Sequence, residues 1–266
     1  MALPPPTFDL STASGLSLSG SKVTTWGSAT QGTDANRPTY SDADDDKILG
    51  YGVVQLSGAS SQYLSWDDTA AMFSGDDPDF TAAVLFRPGS ASGAKTLLGL
   101  GSAGAGRDEV LRVTGAPSLQ TTRRDNSSST DSATIASSSQ ISYGVAYLAI
   151  IRQSGSTRSG LLCRVDNQVE VSDSGVVNVS NTVMATGAIG ADVSAGSIDQ
   201  FFTGDIARIR LYDSALSGDP DGDYTGTQIA ELKAAMLAEA AVGGGSAIRP
   251  AIGAAIQSSI RSCMGA

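Results

Sequence analysis

The feature that most limits what this chain can fold into is a succession of short segments in which apolar and polar residues alternate. In "DFTAAVLFRPG", Phe80, Ala82, Val84 and Phe86 fall on one side, with Thr81 and Arg87 on the other. In "FFTGDIARIRLYDSALS", Ala207, Ile209 and Leu211 take one side while Arg208, Arg210 and Tyr212 take the other. A period of two marks a strand, because successive side chains leave a pleated backbone on opposite faces. "KTLLGLGS", "EVLRVTG" and "SLQTTRR" continue the pattern between turn residues, at the spacing of a two-sheet sandwich. "YGVAYLAIIRQ" is apolar on both faces, which places it in the middle of a sheet. "GLLCRVDNQVEV" sets Asp166-Asn167 between two β runs as a hairpin turn. The chain has 266 residues, enough to bury a real core, and helix-forming Glu and Lys are scarce in it. Many short strands are therefore expected, not a helical bundle.

The two ends read differently from the middle. Residues 1–22, rich in Pro, Ser and Gly, read as an extended arm. The polar segment from Asn126 to Gln140 reads as an exposed loop. "TQIAELKAAMLAEAA" predicts a closing helix over 227–241, with Ile229, Leu232, Met236 and Leu237 on one face and Thr227 as its N-cap. Residues 242–266 are a Gly linker followed by an apolar segment in which Ile248, Ile252, Ile256 and Ile260 recur every fourth residue. Pro250 suits a helix start, after which the later isoleucines form a narrow stripe seeking a partner surface on another copy or another protein. The alternative is a frayed tail or a helix packed on its own domain.

Charge and composition exclude several functions. A formal charge of −10 disfavours nucleic acid and anionic membrane surfaces, both of which call for clustered Lys and Arg. "MALPPPTFDL" shows no secretory signal, and no run approaches the ~20 apolar residues of a membrane span. Cys163 sits in a strand-like run and Cys263 near the end, and two free thiols are the simpler account of them. The sequons at Asn126 and Asn178 carry little weight without a signal. Histidine is absent, which removes Ser-His-Asp, Cys-His and His-zinc chemistry.

The order of segments carries a resemblance. "SLSGSKVTTWGSATQGTDANRPTY", "VVQLSGASSQYLSW", "FTAAVLFRPG", the "VDNQV" hairpin, "AIGADV" and "FFTGDIARIRLYDSALS" follow one another and end in a short helix. In this order and spacing, over roughly residues 8 to 240, the chain resembles the laminin-G-like branch of the concanavalin A-like lectin/glucanase superfamily. The resemblance implies an all-β fold, an antiparallel two-sheet jelly-roll sandwich spanning residues 23–241, with Leu216 tucked back as an anchor. Glucanases of that superfamily use an E-x-D-x-x-E array on one strand to place two carboxylates about a glycosidic bond. Here the four glutamates, Glu109, Glu170, Glu231 and Glu239, form no such array, so a non-enzyme is expected.

The resemblance also raises calcium as a cofactor, since many relatives hold one ion at the sheet rim. Asp192 in "GADVS" and Asp205 in "TGDIA" are the positions to try, the alternative being turn or solvent-facing aspartates. "DPDGDY" at 219–224 starts like an EF-hand loop but has Tyr224 and Ala230 where Gly and Glu are required, and "DADDDK" at 42–47 reads as a solvated loop. For a glycan, Trp26, Tyr40, Tyr63 and Trp66 are the available aromatics. Trp26 and Trp66 lie in the segments that carry the resemblance and read as packing residues, so no sugar site is named.

The functional expectation is a non-catalytic structural protein of a virus particle, a bacteriophage capsid decoration or tail/fibre accessory assembled in the host cytoplasm. Such a protein would contact a capsid or tail subunit and other copies of itself, and could hold host-surface glycans. The alternative is a carbohydrate-binding module of a bacterial surface or exported protein.

Overall fold

The computed structural model describes residues 2–89, 93–102, 104–125, 129–137, 140–178 and 183–238. The strands run, in chain order, β1 (Phe8–Ser11), β2 (Leu16–Ser19), β3 (Lys22–Trp26), β4 (Ala29–Thr30), β5 (Thr39–Ser41), β6 (Val53–Leu56), β7 (Leu64–Ser65), β8 (Phe80–Pro88), β9 (Lys95–Gly101), β10 (Arg107–Val113), β11 (Leu119–Arg124), β12 (Thr130–Ala136), β13 (Tyr147–Ser154), β14 (Thr157–Arg164), β15 (Glu170–Val176), β16 (Thr186–Ile189), β17 (Asp192–Ser194), β18 (Ser197–Asp199) and β19 (Gly204–Tyr212). Helix α1 (Gln228–Ala238) follows, and no helix among the described residues is long and apolar enough to cross a membrane.

Two antiparallel layers face each other in a jelly-roll sandwich. The first has the order β15–β14–β13–β8–β19, and β13 lies at its centre as its two apolar faces require. The far edge of β19 is shared, β1 pairing with its second half and β6 with its first. The second layer has the order β12–β11–β10–β9–β16–β7. Pairing through β6, β5, β3, β4 and β7 carries the sheet from one layer to the other along one side.

Phe80, Ala82, Val84 and Phe86 point between the layers as their alternation predicts, meeting a core that includes Leu98, Leu100, Val110 and Leu119. Trp26 and Trp66 are fully buried in the same core. Burying each such large side chain contributes roughly 1.5–3 kcal/mol. The outer face of the first layer is covered by α1. Ile229, Leu232 and Met236 pack there with Ala83, Leu85, Leu148, Ile150 and the anchoring Leu216, and half-buried Leu237 joins them.

The core also encloses charge. Arg158 and Asp108, both fully buried, form a two-pronged pair at 2.8 and 2.9 Å, and Arg158 also donates to Thr121 and Gln153. Its guanidinium lies 5.0 Å from the Phe80 ring centre. Buried Arg123 approaches the same carboxylate at 3.7 Å and donates to the carbonyls of Phe73 and Gly75. Desolvation lowers the Arg123 pKa, against the pull of Asp108.

Several expectations are corrected. Residues 1–22 are not a free arm: β1 and β2 belong to the sheet, and Asp9 accepts from the largely buried Arg208 and Arg210. Pro, Ser and Gly hid two four-residue strands whose partners lie beyond local reach. The 126–140 segment contains β12, with Ala133, Ile135 and Ala136 buried, so the small residues of that stretch are a strand with one packed face. In β19 a bulge between Ile206 and Arg208 breaks the period, putting Ile206 with Ile209 and Leu211 in the inter-layer core and Ala207 on the helix side. The β14–β15 turn is where Asp166-Asn167 placed it, but Gln168 takes the positive φ, with Asn167 accepting from the Val169 N–H. Thr227 sits at the start of α1, yet its hydroxyl donates back to Tyr224; Ser217 instead meets the first helical N–H groups through its hydroxyl and carbonyl. The stripe of Ile248, Ile252, Ile256 and Ile260, the Gly linker and Cys263 lie outside the described residues.

Candidate functional site

Among the described residues, the second layer carries no helix on its outer face. Over β9 lies the β17–β18 hairpin, which rests there because β9 offers glycine at alternate positions. A Cβ at Gly99 would collide with the Ala191 carbonyl, and one at Gly101 with the Val193 carbonyl. Ala188, Ala191 and the hairpin's own Val193 pack together, bordered by half-buried Tyr63, Ile198 and Phe201, the rings of Tyr63 and Phe201 standing 6.0 Å apart. The hairpin stops at β9–β10 and leaves a ledge over β10, β11 and β12.

That ledge is polar by register. Strand alternation, with a bulge between Glu109 and Arg112, sends Arg107, Glu109 and Arg112 of β10 outward, beside Gln120, Thr122 and Arg124 of β11 and Thr130, Ser132 and Thr134 of β12. Exposure rises away from the hairpin: Glu109 and Thr122 are buried, the arginines half-buried, and the three β12 side chains exposed. A hydrogen-bonded relay crosses the three strands. Arg112 donates to Glu109 at 2.8 Å and to Gln120 at 2.9 Å, and Gln120 donates onward to Thr134 at 3.2 Å. Thr96 of β9 donates to the other Glu109 oxygen at 3.0 Å.

At the hairpin side, Arg107 donates to Asp192 at 3.0 Å and stands 3.9 Å from Glu109. Gln200 donates to the same Asp192 oxygen at 3.3 Å, and the second oxygen, Oδ1, has no partner among the described residues. Burial, reinforced by the neighbouring Glu109 carboxylate and opposed by Arg107, pushes the Asp192 pKa up to about 7. The two carboxylates of the cluster are wholly shielded, whereas the Arg107 and Arg112 side chains are each 19% exposed. Solvent at the ledge therefore meets donors, with the balancing charge beneath them.

The residues singled out in the sequence go to different places. Asp192 enters this cluster. Asp205 lies in the first layer, held by Arg87 at 2.7 Å; burial raises its pKa and that guanidinium opposes the shift. The two carboxylates are on different elements, Asp192 in β17 and Asp205 in β19. Each is already engaged by a guanidinium, and a dication at Asp192 would sit beside Arg107. Among the described residues no three acidic or thiol side chains gather as a metal site. Trp26 and Trp66 are buried, and half-buried Tyr40 packs against the main core, so none of the three is a sugar platform. Glu170 is bound by Tyr224 and Lys233, and Glu231 accepts from the Leu3 N–H. Cys163 is buried and its thiol pKa is pushed up to about 11, chiefly by desolvation. Sequence reading passed over the ledge itself; its trace was the outward set Arg107, Arg112 and Arg124 in an acidic chain.

No family model matches the chain, and no curated protein matches it. Among solved structures, it is similar to Ruminococcus gnavus IT-sialidase CBM40 bound to alpha2,3 sialyllactose, at 14% identity and a TM-score of 0.44, over 53% of this chain and 78% of that one. It is also similar to the enzymatically active domain of bacteriophage CBA120 tailspike protein 2, at 14% identity and a TM-score of 0.48, over 66% of this chain and 27% of that one. A third is the K499G mutant of NanB sialidase from Streptococcus pneumoniae, at 16% identity and a TM-score of 0.47, over 62% of this chain and 26% of that one.

Proposed function

We propose that the chain is a non-catalytic glycan-binding component of a particle surface, and that the β10–β12 ledge is the face that holds the sugar. The observation that carries this reading is the preorganised row of polar side chains on a sheet face that no other described element covers, bounded on one side by the β17–β18 hairpin. Sugar hydroxyls need donors and acceptors fixed before binding, and the Glu109–Arg112–Gln120–Thr134 relay supplies both at low ordering cost. The engagement of Glu109, Glu170 and Glu231 in pairs and bonds supports the non-catalytic part. In this reading neither Asp192 nor Asp205 holds calcium.

The setting we favour is a virion, a capsid decoration or tail accessory contacting capsid or tail subunits and other copies of itself; its support is the family resemblance and the isoleucine-bearing C-terminal segment. Two experiments test the proposal. A glycan array probed with the full chain, with and without calcium, should give binding that Gln120→Ala weakens and calcium leaves unchanged. Density-gradient separation of particles followed by protein mass spectrometry should find the chain at a fixed ratio to the major capsid protein. Its absence from particles, with glycan binding intact, would move the module to a cell surface or the medium.

A further inference from the structure

Resting on the glycan-binding reading, we infer that the ledge selects carboxylate-bearing glycans, and that Arg107 and Arg124 together form the carboxylate subsite. The register makes these two residues direct cross-strand partners, so their side chains leave the sheet side by side on the same face. Like charges directly opposite each other are destabilising in an antiparallel pair, and a sheet tolerates them best where an anion comes between. Arg107 already has Asp192 at 3.0 Å. Arg124 has no hydrogen-bond or ion-pair partner among the described residues, and its Nε is buried without one, as is the Nε of Arg107.

Three further observations narrow the ligand. Thr122, the cross-strand partner of Glu109 and two residues along β11 from Arg124, is 2% exposed and its hydroxyl is unpartnered, leaving a buried polar atom on the same face. The carboxylates that balance the patch are inaccessible, so an arriving acceptor meets guanidinium donors first. Planar guanidinium forks match a carboxylate two bonds at a time. The molecule as a whole is strongly negative at −10, which repels long polyanions, so an anionic ligand is held through local donors such as these. An acidic monosaccharide unit within a glycan fits that combination. Its carboxylate would lie against Arg107 and Arg124, and its hydroxyls would reach Gln120, Ser132 and Thr134.

The test uses the full chain and isothermal titration with oligogalacturonate, oligoalginate and hyaluronan fragments, each beside its carboxyl-reduced counterpart. At least one acidic member should bind about tenfold or more tighter than its reduced form, as a charge-assisted pair of bonds predicts. Arg124→Gln should abolish most of that difference while keeping binding of the reduced sugar. It should leave the melting temperature unchanged or raised, because a like-charge contact is relieved. Equal binding of acidic and reduced forms, or a preference that survives Arg124→Gln, overturns the carboxylate subsite and leaves the glycan-binding reading standing. If neither form of any member binds and the glycan array is also blank, the reading of the ledge fails, and this inference with it.

Discussion

Asp192 shows how little a residue's type says about its work. In the sequence it is a candidate calcium ligand; in the fold it opens the β17–β18 hairpin with its carboxyl group shielded from water, sharing Arg107 with a second buried carboxylate. Its pKa, raised from 3.8 to about 7 by burial first and Glu109 second, has a definite thermodynamic sign. Between those values the folded chain holds a proton that the unfolded chain has released. The stabilising contribution is therefore complete below about pH 4 and is lost as pH rises through about 7. It amounts to at most about 4 kcal/mol, at 1.36 kcal/mol per unit. Denaturant unfolding at a series of pH values should show a fall in stability across that window, and Asp192→Asn should flatten it. An unchanged slope in the variant would place the proton elsewhere. Trp26 and Trp66 were legible as packing residues because they lie in the segments that carry the resemblance, and both are fully buried. The Asp192 environment was not, because it is assembled from β10 and the β17–β18 hairpin, which are remote from one another in sequence.

At the scale of elements, the hairpin depends on what lies under it. Gly99 and Gly101 occupy the two outward positions of β9 against which the backbone of β17 rests, and neither has room for a methyl group. Gly99→Ala should cost about 1–3 kcal/mol, the range for forcing atoms into a filled space, read from the urea midpoint. The same substitution at Gly196, whose positive φ of 76° lies at the hairpin's open turn with nothing nearby, separates crowding from backbone strain. If both cost the same, crowding is not the cause. "GLG" within an apolar strand was visible in the sequence, but the covering hairpin was not. Strand alternation was read correctly wherever the period of two held, as in β8 and β13. It failed at β19, where a bulge inserts one residue, and at β1, β2 and β12, where Ser, Thr, Gly and Pro mask the pattern. The helix face was legible through Ile229, Leu232 and Met236. Its cap was misassigned because Ser217, eleven residues upstream of Gln228, reaches it across a turn.

Across the whole molecule, the layers are registered by an ion network as well as by oil. Asp108 of β10 in one layer and Arg158 of β14 in the other meet in the dry interior, with Arg123 beside them. Two guanidiniums around one carboxylate leave no spare negative charge at the centre of the group. Asp108→Asn should therefore be severe, about 3–5 kcal/mol, because it strands buried positive charge, whereas Asp44→Asn on the surface should fall within about 0.5 kcal/mol. Chemical denaturation of the two variants side by side decides this, and parity between them would mean that water reaches the network. Sequence order was enough to reach the two-layer architecture. The pairing of Asp108 with Arg158, fifty residues apart, depends on which strands face each other, and one chain's pattern does not encode that locally.

The shared edge of β19 also has a consequence in time. Its residues 204–212 complete both the first strand, 8–11, and the sixth, 53–56, while also lining β8. During synthesis those three earlier strands must wait, each with an edge unsatisfied, until residues 204–212 have left the ribosome. Such late closure predicts slow, non-local folding and a nascent chain vulnerable to wrong partners until residue 212 is available. A chain halted before that point should be captured by chaperones, and one halted shortly after α1 released.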